Sequence, residues 1–426
     1  QAARTGSTGT AAECGDAAGA APMAEPVEMT PEEQAAEEAY YAEQAARAAE
    51  NRKRREEQAQ QREIERRKRY WTSWESLEKR VEKKRWIILS ASADAGVRMW
   101  DIDSKDEKFR GTLTGVHEAA VRVVAMDLEE RFAITGAVDG TLAKWDLERI
   151  ENKESFLSGK FGSMISLDVS FKEKRALTGT GQGLLCIWDT DKLRALSQIP
   201  AHEGARIYFV SPNWDSGTAL TGGTDGKIKL WDLEIQECLG TYEGHTAAIS
   251  SAVVDWDRNR VFSGDDDGNL HYWHMDTNSC IFSLEGHSDR ISNLRGDIEN
   301  DQMASTSNDD TARVWDLNMG QCTNTLEGHK QAVRDIVWDF DQQLAVTCSD
   351  DEMLRVWDLA KNRCKGKLEG HLDRVNTLCA RLDKMQVLSG SLDCTMRLWD
   401  LENMVCEETF YGHSGSILSL TGAIGS

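Results

Sequence analysis

Eight tryptophans recur at near-constant spacing, and a chain carrying such a ruler folds as one small unit copied many times. They are Trp100, Trp145, Trp188, Trp231, Trp273, Trp315, Trp357 and Trp399, separated by 45, 43, 43, 42, 42, 42 and 42 residues. All but Trp273 are followed by Asp. A hydroxyl residue stands ten positions before each one: Ser90, Thr135, Thr178, Thr221, Ser263, Ser305, Thr347 and Ser389. Six positions before stands Asp94, Asp139, Asp225, Asp267, Asp309, Asp351 or Asp393. A histidine stands further upstream in six repeats: His117, His202, His245, His287, His329 and His371.

One repeat gives the local structure. In 329–358 the runs VRDIVW, LAVTCS and LRVWD alternate apolar and polar residues, with turn-forming acids and amides between them. That period of two predicts strands joined by short loops. A fourth strand, such as CKGKLEG before His371, completes each unit. A four-stranded antiparallel sheet of this kind has two apolar faces and cannot bury both alone. Neighbouring sheets must pack on them.

These in-phase positions resemble the WD-repeat β-propeller family over about residues 86–421. The resemblance implies that Asp, His, Ser/Thr and Trp of each repeat form a hydrogen-bonded tetrad. The chemistry suits it, because a buried indole N–H needs an acceptor and a buried carboxylate needs donors. A lone Ser–His–Asp set would suggest a hydrolase. Here the set recurs beside every Trp but one, which points to a structural bolt. The Trp188 repeat is the exception, with Gln182 and Lys160 where Asp and His would stand. Both partners are missing together, and this blade is expected to be the loosest.

The ends of the repeat array set the blade count. Trp100 has Ser90 and Asp94 but no upstream His; His413 has no Trp after it. The two orphans complement each other if the strand SILSL after His413 pairs beside WIILSAS at 86–92. The expected fold is an all-β, closed propeller of eight four-stranded antiparallel blades. A local strand at 76–82 could instead fill the slot, and seven blades is the alternative count.

The first quarter of the chain differs. Residues 1–29 are rich in Ala, Gly, Glu and Thr and read as a disordered segment. Thr30-Pro31-Glu32-Glu33 is a helix start, and residues 30–85 read as a charged helical extension without a sustained apolar seam. A coiled coil is compatible with it, a solvated helix simpler. Trp71, Trp74 and Leu77 offer an apolar patch. Net charge is −8 over 1–50, +7 over 51–85 and −21 over the propeller region 86–426. Such a propeller repels nucleic acid and anionic membranes. Only the clusters at 52–55 and 66–69 could touch RNA.

Five cysteines, Cys238, Cys280, Cys322, Cys364 and Cys406, recur 42 apart. Each falls on the fourth strand of a different blade, so they read as small apolar fillers and not as a disulfide or metal framework. Free thiols suit a reducing compartment. No stretch is long and apolar enough to span a membrane. The chain begins at Gln1, so the reading is cytoplasmic or, after removal of a targeting segment, organellar. No phosphate loop, metalloprotease motif or nucleophile elbow occurs. Asp265-Asp266-Asp267 lacks the alternating ligand spacing of a Ca²⁺ loop. Neither enzyme activity, cofactor nor metal is expected.

The resemblance implies a monomeric scaffold that grips other proteins in a multi-subunit complex at the rim and top face. Residues just before each tetrad Asp should point there: Ala93, Val138, Thr224, Asp266, Asn308, Asp350 and Leu392. So should Arg206, Arg290 and Arg374, just ahead of the first strands. The partner-binding set is Arg206, Asp266, Arg290, Asn308, Asp350 and Arg374. The alternatives are a ribosome- or RNA-associated propeller using the basic arm, and a ubiquitin-ligase substrate receptor. The Trp-Asp-x-Arg box frequent in such receptors is missing.

Overall fold

The computed structural model describes residues 85–105, 107–156, 162–297 and 300–425. The expectations for 1–84, which include disorder, a charged helix or coiled coil, the basic clusters, the Trp71 patch and the strand at 76–82, lie outside the described residues, as does Lys160. Arg85, placed above at the end of the extension, is the first residue of a strand.

Alternating residues build eight four-stranded antiparallel sheets among the described residues. Blade one combines Arg85–Ser92, Val97–Asp101 and Phe109–Leu113 with the last strand, Ile417–Gly425. Blades two to eight are continuous in sequence, at 121–156, 164–200, 207–242, 249–284, 291–327, 333–368 and 375–410. In each of them the strands pair in sequence order, as hairpins require. The Asp after the tryptophan sets the turn into the fourth strand. Asp358 accepts Lys361 N–H, and Asp146, Asp232 and Asp400 each accept the N–H groups two and three residues on.

The first strand of blades two to eight and the last strand of the chain in blade one lie innermost, each touching the inner strands of the blades before and after it, and the series closes between Ile417–Gly425 and Val121–Asp127. The chain's last strand pairs with its first described strand from Arg85↔Gly425 to Ser92↔Ile417. The propeller is therefore an eight-bladed ring closed by strands from both ends of the repeat array. Closure gives blade one its fourth strand, so every blade is a complete four-stranded sheet.

Apolar side chains gather in the seams between blades. Leu344, Val346 and Val356 of blade seven pack with Val375, Leu378, Val387 and Trp399 of blade eight. The closing seam holds Trp86, Ile88 and Trp100 against Leu388, Met396, Leu398 and Phe410. Full burial of one such side chain stabilises by about 1.5–3 kcal/mol. A hydrogen bond contributes about 0.5–1.5 kcal/mol net. Packing therefore carries the blades, and hydrogen bonds set their register. That is why blade three persists with an incomplete tetrad: Met164, Ala176, Cys186 and Trp188 pack on Ile134 and Leu142 of blade two.

The repeating cysteines fill apolar space only in part: Cys322, Cys364 and Cys406 pack against the seam clusters from the outer edge, and Cys238 and Cys280 do not. Cys238 and Cys280 are exposed, and Cys322, Cys364 and Cys406 are half-buried. The fourth strand is the outer edge of its blade, so the cysteines near its start meet solvent, whereas Tyr242, Leu284, Leu326, Leu368 and Phe410 further along it are buried. Each thiol turns back on its own strand, as Cys238 Sγ does to Gly240 O at 3.3 Å and Cys280 Sγ to Phe282 O at 3.1 Å. All nine described cysteines are free.

Candidate functional site

In blade seven Trp357 Nε1 donates to Thr347 Oγ1 at 2.8 Å, His329 Nε2 meets the same hydroxyl at 2.8 Å, and His329 Nδ1 lies 2.9 Å from Asp351 Oδ2. The hydroxyl accepts from the indole, so its proton goes to Nε2. Nδ1–H then donates to the carboxylate, and the imidazole is neutral. Burial pushes His329 below its usual pKa against the pull of Asp351. Burial by itself would raise Asp351, but hydrogen bonds from His329 and from Lys330 and Met353 N–H hold it below its usual value.

Blades four, six and eight repeat the pattern through Trp231–Thr221–His202–Asp225, Trp315–Ser305–His287–Asp309 and Trp399–Ser389–His371–Asp393. In blade one it spans the chain ends. Trp100 Nε1 donates to Ser90 Oγ at 2.9 Å, His413 Nε2 meets Ser90 Oγ at 2.8 Å, and His413 Nδ1 lies 3.0 Å from Asp94.

Blades five and two depart from the sequence expectation, and blade three has only the upper part of the pattern, since its sequence carries neither the His nor the Asp. In blade five His245 Nδ1 bonds Asp265 at 2.9 Å, not Asp267. The upper part is as expected, with Trp273 Nε1 and His245 Nε2 on Ser263 Oγ. Asp265 occupies the strand-end position that is Ser307, Ser349 or Ser391 in blades six to eight, and its longer carboxylate reaches the imidazole. It also accepts N–H groups from Asp267 and from Asn269 backbone and side chain, while Asp267 is exposed. In blade two His117 Nε2 and Trp145 Nε1 meet Thr135, but His117 Nδ1 bonds the Thr141 hydroxyl, which donates to Asp139 at 2.6 Å. Burial lowers His117 to about 4. In blade three Trp188 Nε1 still donates to Thr178 Oγ1 at 2.8 Å, and Thr180 Oγ1 accepts the turn N–H of Leu184 at 3.0 Å.

The tetrad hydroxyls have no solvent-exposed surface. A nucleophile must reach its substrate, so the recurring Ser/Thr–His–Asp sets hold blades together and are not built for hydrolysis.

The variable residues lie at the channel mouth. The residue seven before the tryptophan bonds the entry of its blade's first strand: Thr224 N to Arg206 O, Asp266 N to Ala248 O, Asn308 N to Arg290 O, Asp350 N to Ala332 O and Leu392 N to Arg374 O. Just inside this entry every first strand carries a β-bulge. Arg122, Ile165, Tyr208, Ser250, Ser292, Arg334, Asn376 and Leu418 occupy it. Bulges re-aim side chains at the rims of barrels, and here they aim them at one opening. Two of these rim residues meet across blades: Arg290 of blade six lies over the ring of Tyr208 of blade four, 5.7 Å from its centroid. The two span the intervening blade, whose bulge residue is the small Ser250.

The expected anchors of blades five to seven prove to be paired with one another. Arg290 Nε lies 3.0 Å from Asp266. Arg334 Nε donates to Asp350 at 2.7 Å and a second guanidinium N–H to its other oxygen, while Arg334 Nη1 reaches Asn308 at 3.4 Å. Asp350 is 8% exposed, so it is a buried counter-ion and not a free contact. Arg374 reaches it only at 3.8 Å, and Arg206 is exposed. Arg334 and Tyr208 were not foreseen. Their signal is the three-residue step between core positions, as in Val333 and Ile336, which breaks a period of two.

Among known proteins, the pattern "WD domain, G-beta repeat" (WD40) matches residues 193–232, 236–274, 278–316, 320–358 and 362–400. Two curated relatives, both called "Mitochondrial division protein 1", are 38% identical: that of Neurospora crassa over 63 residues and that of Mycosarcoma maydis over 71. These stretches are 15% and 17% of this chain, and the chain spans only 9% and 8% of those relatives. A crystal structure of the computationally designed Ika8 protein superposes with a TM-score of 0.65 at 24% identity, covering 74% of this chain and 93% of that one, and shares the fold. Five segments of the chain match the WD40 repeat, and the described strands close into an eight-bladed β-propeller.

Proposed function

We propose that this protein is a non-catalytic scaffold that assembles a multiprotein complex through the top face and rim of its propeller. The observation that carries the reading is the contrast between two sets of in-phase positions. Tetrad residues repeat in type because each blade needs the same bolt. Mouth residues repeat in place but differ in type, and nothing in the blade requires that variety. A rigid ring that carries Arg206, Asp266, Arg290, Asn308 and Arg374 at the entries of its inner strands, with Asp350 behind them as the counter-ion of Arg334, suits recognition, where a few fixed anchors dominate affinity and charge selects the partner. WD40 propellers generally act as protein-binding platforms, and no described helix is long and apolar enough to cross a membrane. Free thiols favour a reducing compartment, and we place the protein in the cytoplasm.

The test is affinity capture with the full chain carrying Arg290→Glu and Arg374→Glu, read by mass spectrometry. Capture of the main partner should be lost while circular dichroism and the elution volume stay those of the folded ring, with a modest drop in melting temperature because the new carboxylates face Asp266 and Asp350. Unchanged capture would sink the top-face reading. If capture instead fails on removal of residues 1–84 and includes RNA-binding assemblies that leave with rising salt, the basic arm is the contact.

A further inference from the structure

Five outer strands carry a cysteine seven residues after the tryptophan, and in all five the thiol donates to the carbonyl two residues on. Blade seven nevertheless differs from the others. In blades four, five, six and eight a hydroxyl residue, Thr241, Ser283, Thr325 or Thr409, pairs across the strands with the residue two before the tryptophan. The cysteine sulfur lies 3.6–3.8 Å from that hydroxyl in blades four, six and eight. Blade seven has Lys367 at this position, directly opposite Arg355. Like charges facing one another on one side of a sheet repel.

Arg355 is 6% exposed, and its Nη1 lies 3.9 Å from Cys364 Sγ. Gly328 fixes that nitrogen, since a Cβ there would come within 2.9 Å of it. Among the described residues neither cation has a carboxylate in ion-pair reach, and Arg355 Nε has no hydrogen-bond partner. A buried cation without a counter-ion is costly, and the group against it that can become an anion is the Cys364 thiol. The strand reads RCKGKL, so Arg363 and Lys365 flank Cys364 in sequence. The other four cysteines have Glu237 and Leu239, Ser279 and Ile281, Gln321 and Thr323, or Val405 and Glu407 beside them. Cys364 is half-buried and opens on a cleft of about 330 Å³ between blades six and seven. Glu327 is the carboxylate on that cleft, and Asp358 nearby is taken up by Lys361 and Arg363. A partly exposed sulfur among cations is where a thiol becomes nucleophilic.

We infer that Cys364 is a site of reversible oxidation, at which a small neutral hydroperoxide converts the thiol to its sulfenic acid. With hydrogen peroxide the sulfur attacks one oxygen, an S–O bond forms and the O–O bond breaks. The second oxygen leaves as water with the thiol proton. The sulfenic oxygen offers the Arg355 guanidinium the acceptor that it lacks. Two equivalents of a small thiol return the cysteine through a mixed disulfide. A neutral oxidant passes Glu327 without repulsion, which an anionic one does not.

The experiment treats the reduced full chain with limiting hydrogen peroxide in the presence of dimedone, which traps sulfenic acids, and reads each cysteine peptide by mass spectrometry. Cys364 should label about tenfold faster than Cys238 and Cys280, although those two are exposed and it is half-buried; that is the scale of a cation beside the sulfur. Lys367→Thr gives blade seven the hydroxyl of its neighbours at an exposed position and should slow Cys364 several-fold. Lys367→Glu should slow it further, with circular dichroism and elution volume unchanged in both. Glutathione added after the peroxide and before dimedone should erase the label. Labelling that follows exposure, with Cys238 and Cys280 first, would overturn the inference. So would equal rates at all five cysteines, a Cys364 rate that neither Lys367 variant changes, or a label that glutathione does not erase.

Discussion

Asp265 and Asp267 stand two residues apart in one turn, and only Asp265 holds His245. Asp265→Ala should therefore cost about 1–3 kcal/mol, the penalty for leaving a buried donor without its partner. Asp267→Ala should stay within about 0.5 kcal/mol, as a surface change does. Urea unfolding of both variants measures the difference, and a larger loss at Asp267 would reverse the assignment. His329→Ala belongs with the first class, because it strands Asp351, whose carboxylate is 6% exposed. Spacing could not separate the two aspartates. A carboxylate six before the tryptophan has the family's position, whereas the strand-end residue wins by reach and by its several donors.

The closing strand Ile417–Gly425 is the element on which the ring depends. It fills the inner position of blade one, and His413 just ahead of it completes that blade's tetrad. Its side chain Ile417 joins the closing seam with Trp86 and Phe410. Removal of residues 412–426 should expose the inner edge of Arg85–Ser92, lower the melting temperature by well over ten degrees and promote aggregation through the bared strand. Differential scanning calorimetry and light scattering report both. A truncated chain that melts with the parent would show that closure contributes little. The inner strands also hold what the pattern concealed. Each bulge shifts the register by one residue at the mouth, so Arg334 and Tyr208 face the opening although strict alternation assigns them elsewhere.

Across the whole molecule the tetrads make stability depend on pH. His117, His202, His329 and His413 are all held below their usual value of 6.5, chiefly by burial. Below pH 6.5 the unfolded chain takes up protons that these native imidazoles refuse, so stability falls as pH falls, down to about 4 for His117. The tetrad carboxylates add to this only below 3.8, where the unfolded ones protonate first. Asp168 works the other way. Burial raises it to about 6, so its contribution weakens as pH rises from 3.8 towards 6. Asp266 and Asp310 are raised as well, while His271 is a fifth imidazole held down by burial; five lowered imidazoles outnumber three raised carboxyls, and the melting temperature should drop between pH 7 and pH 5. A flat or rising profile over that range would mean that the imidazoles are charged in the native ring.

The recurring tryptophans, hydroxyls and acids determined the four-stranded unit, its number and its ring closure, because alternation and fixed spacing are local properties written in every repeat. The orphan Trp100 and His413 even marked which strands meet. Tertiary structure alone decided what depends on distances across blades. Asp350 became a buried counter-ion only when Arg334 folded over it. Arg290 found the Tyr208 ring two blades away, because curvature brings the inner strands to one opening. The cysteines met solvent because the fourth strand has no neighbour beyond it. Periodicity fixes what each blade shares, and the closed ring decides which of the unshared residues meet.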